Sequence, residues 1–213
     1  MWRGSAVENG YVTYLRTHDL EQAYDAAMRS YNLNVEENSA QGKLADEQAE
    51  LIIPMISQCL LWTPPSYLNA HQIPIEHWFD GVPVPVIGFV DFAFENLDVD
   101  LKTTKACPST PKAPDVRQVS LYRAARKRPG GILYVTSKRY AYYEVTDEMR
   151  DAALEEVADT ARKITKLLTI FDNPQDILAA LPIDYDDYRA PRRPGARTAA
   201  DVPLFEAVTL QDN

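Results

Sequence analysis

Residues 88–122, GFVDFAFENLDVDLKTTKACPSTPKAPDVRQVSLY, decide the reading of this chain. Their first half is rich in aromatic and β-branched residues and is broken at Glu95-Asn96. Two short strands with a tight connection are therefore expected over 84–94 and 97–103. A proline-rich segment, 107–114, then leads into a helical pattern from Asp115 to Lys127. Acids interrupt the strands at Asp91 and Asp100, and Lys102 follows Asp100 by two positions. Residues two apart on a strand share a face, so Asp100 and Lys102 point together while Leu101 turns to the opposite layer. Asp91 reaches the same cleft if the hairpin register allows. Gln118 and Tyr122, four apart, share one face of the helix.

Upstream, apolar spacing predicts helices over 4–15, 19–31 and 44–62, the second capped by Asp19 and the third kinked by Pro54, with a polar loop at 32–42. Residues 72–79 alternate as a strand and meet a hairpin dipeptide at Asp80-Gly81. The nearly unbroken apolar run of 84–94 suits a central strand covered on both faces, with Pro83 and Pro85 at its edge. Downstream, Pro129-Gly130-Gly131 stops the helix and strands are expected at 132–137 and 139–145. A long helix over 147–171 follows, capped by Thr146, with Met149, Ala153, Val157, Ala161, Ile164, Leu168 and Phe171 on one stripe. Residues 172–213 are polar and proline-rich and read as an extended arm after a single domain, 1–171. The order of elements gives an α/β fold with a small central mixed sheet flanked by helices.

At 213 residues and 46% apolar content, the chain can bury one substantial core. It has no run near the ~20 apolar residues of a membrane span, and residues 1–4 lack the apolar stretch of a secretory signal, so a cytoplasmic protein is expected. Cys59 and Cys107 are expected as free thiols, too few for an iron–sulfur cluster or a four-cysteine zinc site. No glycine-rich phosphate loop is present, which argues against an ATP-driven motor. The net charge of −9 is unevenly spread. Residues 101–140 carry ten Lys/Arg and one acid, a net of +9, leaving −18 on the remainder. A basic block on an acidic body is the footprint of a phosphate-binding face, the alternative being a merely solvated surface. His71 and His77 lack metal-helix spacing and read as packing or surface residues. Trp62, Trp78, Tyr140, Tyr142 and Tyr143 are of a type that can stack on bases, but most read as core or strand packing.

Asp91 and Asp100 together would form a hard oxygen site suited to Mg²⁺ or Mn²⁺. Buried acids beside a lysine are costly unless a metal and a phosphate complete the charge balance, and phosphodiester hydrolysis uses those parts. An Asp-x-Lys step alone is common in chains of this length.

Taken jointly, Gly88-x-x-Asp91, Asp100-x-Lys102 and Gln118-x-x-x-Tyr122 resemble the PD-(D/E)XK nuclease superfamily. The Gln-x-x-x-Tyr step is similar to its RecB-like and phage recombination exonuclease branch. The resemblance covers roughly residues 3–145 and implies a restriction-endonuclease-like core. It further implies a metal-dependent DNA exonuclease in DNA recombination, repair or phage DNA processing. The alternatives are a structure-specific endonuclease on the same fold and an inactive DNA- or partner-binding module. In this reading Asp91, Asp100 and Lys102 are catalytic, and one or two Mg²⁺ or Mn²⁺ ions are held by Asp91, Asp100, the Leu101 carbonyl and Glu8. Glu8 enters because residues 3–8 resemble the family's first motif. Gln118 and Tyr122 line the DNA path, joined from the basic block by Lys105, Arg117, Arg123 and Arg126. The cysteine quartet of many RecB-like members is missing, so no iron–sulfur cluster is expected. The implied partner is DNA and not a membrane. A homo-oligomer and a recombinase or single-strand-binding protein are compatible partners, in the host cytoplasm if the chain is phage-encoded.

Overall fold

Helix α1 (Trp2–Thr17) and helix α2 (Leu20–Glu37) are joined by two residues, His18 and Asp19. His18 takes the left-handed conformation at φ 57° and its N–H closes on the Tyr14 carbonyl at 2.8 Å. Asp19 Oδ1 accepts the Gln22 N–H at 3.1 Å, the expected N-cap. Gly10 lets the helices close: a Cβ there would lie 2.5 Å from Ile56 Cδ1 and 3.0 Å from Ala27 Cβ. Residues 2–37 and 43–170 of this computed structural model are described below. The chain divides into two compact units, 1–163 and 164–213, and of the second only 164–170 are among the described residues. The expected arm, 172–213, lies outside them.

The third expected helix is two helices, α3 (Lys43–Ala49) and α4 (Ile52–Leu61). The break falls at Glu50–Leu51, upstream of Pro54, because proline removes the donor for the carbonyl four residues earlier and crowds it. The second helix also runs six residues further than expected, into the predicted loop.

Strands β1 (Leu68–His77), β2 (Val86–Phe94), β3 (Asp98–Thr103), β4 (Gly130–Val135) and β5 (Tyr140–Glu144) form one sheet in sequence order. Only β3 and β4 pair in parallel, with α5 (Ala113–Arg126) as their crossover, so the sheet is mixed as expected. One face carries a core of Val7, Tyr11, Ile56, Trp62, Phe92, Val99, Leu101 and Leu133 under α1, α2 and α4. The other packs Ile75, Val90, Val119, Tyr122, Ile132 and Tyr134 against α5 and the start of α6 (Asp147–Ile170). Cys59 and Cys107 are buried free thiols. Among the described residues no helix is long and apolar enough to cross a membrane.

Two expectations are corrected. Strand β2 is not covered on both faces along its length: Ile87 and Phe89 are 69% and 53% exposed, because the α1–α4 layer reaches only the half containing Phe92 and Phe94. The long helix does not bury its whole stripe either. Met149 and Ala153 join the core, while Ile164 and Leu168 are 52% and 59% exposed. Phe171 lies outside the described residues. Thr146 Oγ1 accepts the Met149 N–H at 3.3 Å, the expected cap.

Candidate active site

The chemistry gathers where β1 and β2 change faces. Regular alternation would put Val90 and Phe92 on one side of the sheet, yet Val90 packs toward α5 and Phe92 toward α1. Opposite this step stands Gln72, held at φ 54° inside β1, a conformation that costs a non-glycine residue of the order of 1–2 kcal/mol. The rotation carries Asp91 to the edge of β3. There its Oδ2 accepts the Leu101 N–H at 3.0 Å. In an extended strand the N–H and C=O of one residue project to the same edge, so the Leu101 carbonyl also faces the Asp91 side.

On β3, Asp98, Asp100 and Lys102 share the α5 face while Val99 and Leu101 enter the opposite core. Asp100 is fully buried. Lys102 Nζ donates to Asp100 Oδ1 at 3.0 Å and to Gln118 Oε1 at 2.9 Å. The Gln118 amide in turn donates to the Tyr122 hydroxyl, and that hydroxyl donates to Asp100 Oδ1 at 3.3 Å. The i, i+4 pair on α5 therefore clamps the acid and the lysine from above. Tyr122 is buried and tied into this network.

Glu8 arrives from α1. Its Oε1 meets His71 Nε2 at 2.7 Å and accepts the Gln72 amide, which also donates to Asp91 Oδ1 at 3.1 Å. Glu8, Asp91, Asp100, Leu101, Lys102, Gln118 and Tyr122 thus belong to one connected cluster. His71 and Gln72 are members that sequence reading did not supply. Their signal was the hairpin register: Ile73 pairs with Val90 and His71 with Phe92, which sets Gln72 against Asp91.

Charge in the cluster is poorly balanced. Burial, then the neighbouring Asp100 and Glu8, push Asp91 up to about 8. Burial also raises Asp100, against the pull of Lys102. Burial works against the Lys102 ammonium, but Asp100 beside it outweighs that and raises its pKa. Burial and the two aspartates keep Tyr122 a neutral phenol. Three carboxylates face one lysine, and Asp100 Oδ2, 2.8 Å from Lys102 Nζ, makes no hydrogen bond. Apart from His71, whose Nε2 meets Glu8, the donors are hard oxygens, the set a divalent cation such as Mg²⁺ or Mn²⁺ takes. Among the described residues no three His, Cys, Asp or Glu side chains stand together as a ready-made cage. Mg²⁺ needs none, since it binds through one or two carboxylates with water and phosphate filling the remainder.

Three of the basic residues expected beside this cluster have partners within the chain. Arg117 pairs with Glu156 at 2.9 Å on the outer side of α5. Arg123 donates to the Val145 carbonyl and to Asp147. Arg126 Nε holds the buried Asp98 at 2.7 Å. Lys105 is exposed on the loop after β3. Trp62 stacks on Tyr142 with centroids 5.2 Å apart, a packing role.

No protein-family model and no curated protein matches the chain. Among solved structures, it is similar to a "Putative exonuclease" from Eubacterium rectale, with 16% identity and a TM-score of 0.49 over 75% of this chain. The chain spans 66% of that protein's length, just under two thirds. It is also similar to the protein SSO0001, with 15% identity and a TM-score of 0.38 over 82% of this chain and 77% of the other.

Proposed function

We propose that this protein is a Mg²⁺- or Mn²⁺-dependent deoxyribonuclease that hydrolyses phosphodiester bonds from DNA ends. The observation that carries the proposal is the convergence of three separate motifs on one lysine: Lys102 is held between Asp100 and Gln118, with Asp91 on the adjacent strand. Asp91, Asp100 and the Leu101 carbonyl would hold the ion, and Glu8, aimed by His71 and Gln72, would complete its surroundings. A bound divalent cation polarises the phosphoryl oxygen and lowers the pKa of attached water. Lys102 lies where it can orient the attacking water or counter charge on the phosphoryl oxygens. Gln118 and Tyr122 act as positioning residues, fixing the ammonium and the Asp100 carboxylate in one geometry.

End-labelled linear DNA should be digested only when Mg²⁺ or Mn²⁺ is present, while closed circular DNA survives. Cutting of the closed circle would make the protein an endonuclease instead. Equal digestion by the Lys102→Ala variant would overturn the mechanism.

A further inference from the structure

A second concave feature lies at the end of α5 and contains none of the acid cluster. It is a cavity of about 380 Å³ lined by Arg123, Ala124, Lys127, Arg128, Pro129 and Arg150, so four of its six residues are cations. Two acids are tied into it. Asp147 is shared by Arg123 and Arg150, and Asp151 bonds Arg150. Both are largely exposed, and a positive excess remains. Arg128 spends one N–H on the Phe94 carbonyl at 3.3 Å. The Arg123 Nε–H is buried without any partner.

Helix electrostatics account for only part of this lining. Cations in the last turn of α5 complement the negative pole of that helix. Arg150 stands in the first turn of α6, where the dipole disfavours a cation. Lys127 occupies the left-handed cap position at φ 54°, where glycine would be unstrained, and the residue is exposed. Two of the four cations therefore stand where helix geometry alone would not place them.

We infer that this cavity is a binding site for a phosphate group, distinct from the acid cluster. Guanidinium forks match tetrahedral oxyanions, and the net excess of positive charge suits an anion. The volume falls in the range of small-ligand sites and admits a phosphate with its ester substituent. The phosphate can come from a nucleic-acid backbone or from a free phosphorylated molecule. The inference does not depend on what the acids catalyse.

The test uses the full chain in EDTA, so that nothing is cut. Inorganic phosphate is titrated by calorimetry, then a labelled single DNA strand by fluorescence anisotropy at several salt concentrations. Lys127→Gly relieves the strained cap while removing the charge, and Arg150→Gln is the second variant. Each should weaken phosphate binding by about tenfold or more, as expected for loss of a hydrogen bond to a charged group. Lys163→Gln, outside the cavity, should bind as the parent does. If the DNA strand displaces phosphate and each variant lowers the salt slope by about 0.7, the ligand is a backbone phosphate. If DNA does not displace it, the ligand is a free phosphate compound. No saturable phosphate binding, or variants that bind like the parent, overturns the site. A protein that binds phosphate here but digests no DNA overturns the nuclease reading and leaves this one standing.

Discussion

Glu8 on the first helix and His71 on the first strand meet at 2.7 Å, Oε1 to Nε2, across 63 positions of sequence. The imidazole also packs on Phe92 with ring centroids 5.4 Å apart, so its orientation is fixed by the core. A carboxylate aimed in this way depends on its partner as a metal-site ligand depends on the group that orients it. Removing such an orienting group typically costs about 10–100-fold in metal affinity or activity. His71→Ala should therefore weaken Mn²⁺ binding within that range, and Glu8→Gln should do so at least as strongly. Calorimetric Mn²⁺ titration of both variants, alongside DNA digestion, checks this. Unchanged Mn²⁺ affinity in His71→Ala would reduce His71 to a packing residue.

Asp91 makes a pH prediction with a definite sign. Its ordinary value is 3.8 and its folded value about 8, raised by burial and then by Asp100 and Glu8. Between those values the unfolded chain has released a proton that the folded chain keeps. The stabilising contribution is therefore complete below the lower value, declines as pH rises, and is gone above the upper one. As far as this group decides, the metal-free protein should melt lower at pH 8 than at pH 5. Asp91→Asn should flatten that dependence and raise the melting temperature at pH 8. In a domain of this size each kcal/mol is worth about 2–4 °C. Metal must displace the same proton, so Mn²⁺ affinity should climb across the window. A pH slope identical in Asp91→Asn would show that another group sets it.

Lys102 has a structural role beside the catalytic one proposed for it. It neutralises Asp100, which is wholly buried, and leaving a buried carboxylate without its cation costs about 3–5 kcal/mol. Lys102→Met should lose stability on that scale and lose digestion by about 10²–10³-fold, the usual cost of one transition-state donor. Adding Asp100→Asn should restore much of the melting temperature and none of the activity. Recovery of activity together with stability would take both Lys102 and Asp100 out of the chemistry.

The β3 pattern was legible because it is local. Asp100 and Lys102 are two apart and Gln118 and Tyr122 four apart, so the periods of strand and helix fix their faces before any tertiary contact is known. His71 and Gln72 were not legible for the opposite reason. A two-residue turn centred on Asp80-Gly81 would have paired Gln72 with Phe89. The actual connection is eight residues, 78–85, and the register moves Gln72 to Asp91. Loop length decides which side chains meet, and prolines at 83 and 85 disguise it. The partners of the basic block were hidden in another way. Its charges are contiguous in sequence, but buried Asp98 and the acids of α6 draw Arg126, Arg123 and Arg117 into intramolecular pairs that no local pattern reveals.

Arg126 gives the sharpest test of that last distinction. Asp98 has no exposed surface, its Oδ2 lies 2.7 Å from Arg126 Nε, and its Oδ1 has no hydrogen-bond partner. Burial raises the Asp98 pKa despite Arg126, so the arginine only partly offsets the desolvation of the carboxylate. Arg126→Met should then cost about 3–5 kcal/mol at neutral pH, lowering the melting temperature by on the order of 10 °C. The raised pKa fixes the sign: protonation relieves the uncompensated charge, so the variant should regain stability as pH falls toward the acid range. Arg126→Met with Asp98→Asn should melt close to the parent, since the buried charge and its counter-ion leave together. The salt slope of DNA binding in that double variant should match the parent. A variant that keeps full stability and instead loses about one unit of salt slope would place Arg126 on a phosphate and not on Asp98.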